Sequence, residues 1–380
     1  MRVSGVVSGG VRVSARRLAL VTAPRTGEAF ESWVDRMARV NRCPPAEVAT
    51  MMGLGLRGAS ADVRPPLFGV RSDDVVRRSV FAATGVSDER VDAMHLSVFE
   101  GGPLSVSAVL AAGRARRPSE GREWAAVHGS RACPCCLLVS GGVWQLWWKL
   151  SCAAVCPEHR VVLLDRCPSC GWVLRWGGER PRVVPAQWVR PPTCCANSVR
   201  GRPCSQWLPA VRVSRADGGT VEAQRRWLDV ACGRVRPGLG GVEVAAGEWF
   251  AALRACVILL RLGLPRVLGR LPDVPGWCAR VLLEERVERG AHGGRFGWGP
   301  ASARAAASFL TVVMPLLAAE DMRELSRRLA PLVRTAADEG CLAARPLARL
   351  AVPEVFAEAV AAQVPVGRSA RSPWEKGSSR

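Results

Sequence analysis

The stretch that decides the reading is Cys133-Pro134-Cys135-Cys136, followed by Cys156-Pro157-Glu158-His159, Cys167-Pro168-Ser169-Cys170-Gly171, Cys194-Cys195 and Cys204. A C-x-x-[C/H] knuckle turns the chain so that both ligands point at one centre about 2.3 Å from each sulfur, and two knuckles complete a tetrahedron. Cys133, Cys136, Cys156 and His159 form one such set. Cys167 and Cys170 begin a second, which Cys195 and Cys204 can finish, with Cys194 as a competitor for Cys195. A run of buried free thiols would have no reason to repeat a two-residue gap three times. The expected cofactor is therefore zinc, in one firm site and a second beside it. A closed set of four protein ligands leaves no position for water, so the metal is expected to stabilise a fold and not to activate a nucleophile.

The rest of the chain fits an intracellular setting for those thiols. Of the fifteen cysteines, nine lie in the quoted groups, and the other six stand apart at 43, 152, 232, 256, 278 and 341. Cytosolic thiols stay reduced, so this clustering favours metal ligation over disulfides. Most of the outliers read as core, Cys256 within the apolar run Ala255–Leu260 foremost. The longest apolar stretch, Ala245–Leu264, is interrupted by Glu248, Arg254 and Arg261, short of the roughly 20 apolar residues of a membrane span. Met1–Arg17 lacks the apolar core of a secretory signal. The expected location is the cytoplasm, without membrane contact.

Among 380 residues the net charge is +20. A cationic chain gains from releasing the counterions condensed on a polyanion, which makes double-stranded DNA the first partner to consider. The competing explanation is base composition. Lysine occurs only at Lys149 and Lys376, tyrosine is absent, and arginine abounds, as a GC-rich coding sequence dictates.

Working outward from the cysteines, helical periodicity dominates. Phe30, Trp33, Val34, Met37 and Ala38 share one face after Thr26-Gly27-Glu28, and Pro45–Met52 forms a second helix closed by Gly53. Ser72 is expected to cap a helix over Asp73–Thr84 and Ser87 one over Asp88–Met94. Short helices on tight turns suit a helix-turn-helix DNA-binding domain, and equally an ordinary small bundle. After the cysteines, helices are expected at Glu222–Cys232, from Glu248, from Pro300, at Glu320–Thr335 and at Pro353–Gln363. The fold class is thus mainly α with small zinc-ribbon β elements. The expected organisation is a disordered or misassigned start (1–17), an N-terminal helical, helix-turn-helix-like domain (18–113), a basic linker (114–130), tandem zinc ribbons (131–210), a C-terminal helical domain (220–366) and a disordered tail (367–380). Trp144, Trp147 and Trp148 read as packing for the zinc modules. Trp172, Trp176, Trp188 and Trp207 are divided between packing and base stacking. Of the four histidines only His159 has ligand spacing; His95, His128 and His292 stand alone.

Several enzymatic chemistries lack their residues. Neither lysine sits in a Walker A context, His128-Gly129-Ser130 is not the H-x-E of a zinc deaminase, and H-E-x-x-H does not occur. Without tyrosine there is no tyrosine-recombinase nucleophile. Asp73, Asp74, Glu284 and Glu285 read as helix-start or surface groups. No catalytic residues are expected, and the chain reads as a non-enzyme.

At this point the residues resemble the TniQ/TnsD family of bacterial transposons. The resemblance lies in Gly27-Glu28 with Ser32-Trp33 and Arg36; in Gly85-Val86 with Met94 and Leu96; in Arg131-Ala132-Cys133-Pro134-x-Cys136-Leu137; in Trp144 and Trp148; and in Cys156-Pro157-x-His159 and Cys167-Pro168-x-Cys170-Gly171. It covers about residues 18–210, and the cysteine part is the most specific. Cys135 inside the first knuckle and the doubled Cys194-Cys195 depart from the pattern. The resemblance implies a target-selection adaptor in DNA transposition. Such an adaptor recruits an AAA+ transposition ATPase of the TnsC/TniB type and hence the transposase, and binds DNA or docks on a CRISPR guide-RNA surveillance complex. A homodimer is a further expected association. The alternative is a zinc-dependent transcriptional regulator or DNA-binding protein outside any transposon.

Overall fold

The computed structural model describes residues 15–54, 69–107, 124–126, 129–175, 191–195, 197–199, 202–290, 299–364 and 373–374. The basic run 114–122, His128, His292, Trp176 and Trp188 lie outside them, as do most of the two termini. The described residues form twelve α-helices and three two-stranded antiparallel sheets, so the protein is mainly helical, with small β elements around the cysteines. They divide into two compact units.

In the first unit, α1 (Phe30–Val40) packs on α2 (Pro45–Met51), and α3 (Asp74–Thr84) on α4 (Asp88–Asp92). Phe30, Trp33, Val34, Met37 and Ala38 are buried with Val48, Met52, Val80, Ala83, Val91 and Met94 in one core, the face expected from the spacing. An extended segment runs beside α1: Trp33 Nε1 donates to the Thr22 carbonyl (2.8 Å), and the Asn41 amide donates to the Leu20 and Met37 carbonyls (2.8 and 2.9 Å). The cap of α3 is Asp73, not Ser72. The Asp73 carboxylate accepts from the Val76 N–H at 2.8 Å, while the Ser72 hydroxyl donates to Asp92. Gly85 ends α3 at φ +73°, where its N–H reaches the Phe81 carbonyl at 2.7 Å; a side chain at this left-handed position would be strained.

The same unit holds α5 (Pro134–Ser140) and the β3–β4 pair (Ser198–Val199 with Arg202–Pro203). Backbone pairing stitches the helical core to the segment after α5. The Ala29 N–H donates to the Trp144 carbonyl (2.9 Å), and the Leu146 N–H to the Gly27 carbonyl (2.7 Å). Lys149, which sequence reading weighed only as a nucleotide-binding lysine, is buried and paired with buried Glu31 at 3.1 Å. His95 is also core: its ring lies 4.6 Å from that of Phe30, and Nδ1 donates to the Val91 carbonyl at 2.7 Å.

The second unit contains the β1–β2 hairpin (Val155–Cys156 with Val161–Val162), the β5–β6 hairpin (Gly238–Leu239 with Val242–Glu243) and seven helices. These are α6 (Gly218–Ala231), α7 (Ala246–Gly263), α8 (Gly276–Gly290), α9 (Ala303–Leu317), α10 (Met322–Asp338), α11 (Arg345–Ala348) and α12 (Glu354–Ala361). Helix α7 is buried nearly all round, with Trp249, Leu253, Cys256, Val257 and Leu260 at its centre. Helices α9 and α10 pack on it, and α6 and α8 pack on α9. Polar caps fix the starts. Asp217 accepts from Thr220, Ser302 from Ala305 and Asp321 from Glu324. Thus α6 begins earlier than Glu222, and α9 begins after Pro300 and Ser302 instead of at the proline.

Glu285 corrects another expectation. It is not a surface carboxylate but a buried partner of buried Arg261, with Nη2–Oε1 at 2.8 Å and Nε–Oε2 at 3.2 Å. The Arg261 guanidinium also lies 4.6 Å from the centre of the Phe309 ring. No helix among the described residues is long and apolar enough to cross a membrane.

Candidate metal centres

Each knuckle is formed by local backbone geometry. Cys133 is the N-cap of α5 and Pro134 occupies its first helical position, where a missing N–H costs nothing. This places Cys133 and Cys136 one turn apart. Cys156 ends β1, and the turn to β2 closes with the Arg160 N–H on the Cys156 carbonyl (2.8 Å), which puts His159 beside Cys156. The third knuckle closes the same way. The Gly171 N–H meets the Cys167 carbonyl at 2.8 Å, and Gly171 adopts φ +72°.

The structure gathers the expected ligand residues into two sets, Cys133, Cys136, Cys156 and His159, and Cys167, Cys170, Cys195 and Cys204. Within each set the ligand atoms all lie within 4.8 Å of one another. Cys195, not Cys194, faces the other three thiols of the second set. Cys194 is instead in a β-bridge with Trp207.

The spacings fit a tetrahedral ion. Four sulfurs about 2.3 Å from a centre are about 3.8 Å apart, whereas a disulfide brings sulfurs to about 2.05 Å. Cys167 and Cys204 sulfurs are 3.7 Å apart, and those of Cys170 and Cys195 3.9 Å. A sulfur and an imidazole nitrogen on the same tetrahedron are about 3.5 Å apart, and Cys156 Sγ to His159 Nδ1 is 3.5 Å. Both sets can therefore hold a metal ion. As free thiols the second set is electrostatically uneven. Burial pushes Cys167 and Cys195 up, whereas at Cys170 burial is outweighed by the Trp172 N–H and the Asn197 amide, which lower it. Three buried sulfurs and one half-buried sulfur converging on one point are better served by a cation that holds all four as thiolates.

One residue of this centre was not anticipated. Asn197 is fully buried and touches the residues of three ligands. Its backbone N–H donates to the Cys195 sulfur, its carbonyl accepts the Cys204 N–H at 2.8 Å, and its amide nitrogen reaches Cys170 Sγ at 3.8 Å and the Val173 carbonyl at 2.8 Å. The only sequence signal was its place two residues after Cys195.

The tryptophans between the knuckles pack. Trp144 and Trp148 are buried with ring centres 6.1 Å apart, edge to face, and Trp144 Nε1 donates to the Pro192 carbonyl at 2.8 Å. Trp172 and Trp207 remain about half exposed. Among the other cysteines, Cys43, Cys152, Cys256 and Cys278 are buried, whereas Cys232 is exposed and Cys341 partly so.

The TniQ family model matches residues 19–163, a span that includes α1 to α5 and the first two knuckles. No curated protein matches the chain.

Proposed function

With the TniQ-family match over residues 19–163 as premise, we propose that this chain is a non-enzymatic, zinc-stabilised DNA-binding adaptor of transposition. It selects the target site and recruits an AAA+ ATPase and, through it, a transposase. The observation that carries the reading is that the family match over residues 19–163 contains the whole first ligand set, with a second four-ligand set directly after it, the ligand atoms of each lying within 4.8 Å of one another. Zinc held by four protein side chains has no open position and serves as a cross-link. Cys133, Cys136, Cys156 and His159 would hold one ion, and Cys167, Cys170, Cys195 and Cys204 the other. The net charge of +20 supplies the attraction to DNA.

The test is made on the full chain. Metal analysis should return two zinc equivalents, falling to one in Cys136→Ser and to one in Cys195→Ser. Duplex DNA should bind with an affinity that falls steeply with salt, and an AAA+ transposition ATPase of the TnsC/TniB type should co-purify. Absence of salt-dependent DNA binding, or of a complex with that ATPase, overturns the adaptor reading. A single zinc equivalent insensitive to Cys195→Ser removes the second centre.

A further inference from the structure

Within the first unit a cleft of about 490 Å³ opens between four pieces of chain: the segment at Thr22 and Arg25, the last turns of α1 at Arg36 and Arg39, the turn at Gly141 and the stretch ending at Thr193. Its charged lining residues are all arginine, and no carboxylate lines it. Arg36 is fixed in place: its guanidinium pairs with the buried Glu28 carboxylate at 2.8 Å and donates to the Ala23 carbonyl at 3.1 Å. Glu28 thus neutralises one of the three cations. Arg25 and Arg39 are exposed and pair with no carboxylate among the described residues, which leaves the cleft with two uncompensated charges. Gly141, at φ +69°, has nothing within 4 Å of where a Cβ would lie, so the cleft floor there is bare backbone.

Resting on the DNA-binding reading above, we propose that this cleft seats the phosphodiester backbone of DNA, with Arg25 and Arg39 as the phosphate contacts and Arg36 as a fixed flank. A guanidinium presents paired N–H groups that match the oxygens of a phosphate and is weakly hydrated, so it gives up water at small cost. The competing role is local: Arg39 lies in the last turn of α1, where a cation also offsets the helix dipole. That role concerns stability and would leave DNA affinity untouched. An acidic peptide would satisfy the same charges, but the apolar side chains lining the cleft are Val40 and the prolines at 191 and 192, with no aromatic residue among the lining residues to form the kind of anchor pocket on which protein partners depend.

The experiment compares Arg25→Gln/Arg39→Gln with the wild-type chain and with Arg280→Gln/Arg349→Gln, an equal charge change at exposed sites in the second unit. Binding to a short duplex is followed by fluorescence anisotropy across a salt series, with zinc content and melting temperature as checks on folding. Loss of two phosphate contacts reduces the steepness of log affinity against log salt by about 1.8, so that the variant, converging with the wild type at about 1 M salt, binds about 60-fold more weakly than the wild type at about 0.1 M. Arg25→Lys/Arg39→Lys should recover most of the slope. A cleft variant no weaker than the control pair overturns the proposal, as does retained DNA affinity with loss of the ATPase complex, which would make the cleft a protein-docking site. Absence of DNA binding by the wild-type chain removes the cleft proposal together with the functional reading on which it rests.

Discussion

Replacing Asn197 by leucine isolates one layer of the second metal centre. Leucine matches asparagine in size and leaves the two backbone contacts of residue 197, to the Cys195 sulfur and from the Cys204 N–H, in place. What disappears is the amide nitrogen, which sits 3.8 Å from Cys170 Sγ and 2.8 Å from the Val173 carbonyl. A donor to a metal-bound thiolate stabilises its charge and fixes its direction, and loss of such an outer partner weakens metal binding about 10–100-fold, roughly 1.4–2.7 kcal/mol. The fold itself should lose less. Asn197 Oδ1 is buried without a hydrogen-bond partner among the described residues, so leucine also removes an unsatisfied acceptor, which offsets part of the cost of leaving the Val173 carbonyl bare. The assay is competition with a chromophoric chelator on the full chain. One equivalent should shift by one to two decades while the other stays put, and the thiolate-to-metal band of the cobalt-loaded chain should move. An affinity within about threefold of the wild type for both equivalents would refute the positioning role.

Two further outcomes follow from buried charge. Glu285→Ala strands the Arg261 guanidinium at 1% exposure and should cost about 3–5 kcal/mol in chemical denaturation, whereas Arg261→Met with Glu285→Leu should recover most of it; a single-variant loss below about 1 kcal/mol contradicts the buried pair. His95 is held below its usual value by burial, opposed by the Val91 carbonyl and by Glu31 and Asp92, with Arg77 adding to the depression. The unfolded chain therefore takes up this proton first as pH falls. The His95 contribution is complete above about pH 6.5 and is lost below it at up to about 1.4 kcal/mol per unit, so His95→Gln should show a shallower loss of stability between about pH 7 and pH 5, and identical slopes would overturn this.

The α1 face and the knuckle spacings were legible because each is a local pattern. Phe30, Trp33 and Met37 need only the helical period to share a face, and Cys167 and Cys170 need only a two-residue gap to converge. Where legibility failed, the deciding partner was distant in sequence. Glu285 looked like a surface group because nothing near it reveals Arg261, 24 residues away. Lys149 found Glu31 far back along the chain. Helix α8, which carries Glu285, went unread because its apolar residues do not form a clean stripe and no polar residue marks its start. The choice between Cys194 and Cys195 was equally unreadable, since adjacent residues on an extended segment point to opposite sides. The pairing of Cys194 with Trp207 sets which side faces the other sulfurs.

The two kinds of long-range contact have different consequences for how the first unit is held. Its helical core buries Trp33, Met37 and their neighbours, and that burial supports α1 to α4. In the segment that carries the second ligand set, Leu174 and Leu208 are buried, but Ser198–Val199 and Arg202–Pro203 form only a two-residue sheet, too small to order a loop by hydrogen bonding. The proposed metal, holding Cys167, Cys170, Cys195 and Cys204 at one point, would supply the cross-link that the small sheet does not. Chelation should therefore melt this segment before it melts α1 to α4. The contacts that join the two, the Trp144 carbonyl with the Ala29 N–H and Lys149 with Glu31, come from the stretch immediately after α5, so the helical core can report the loss of zinc without unfolding with it.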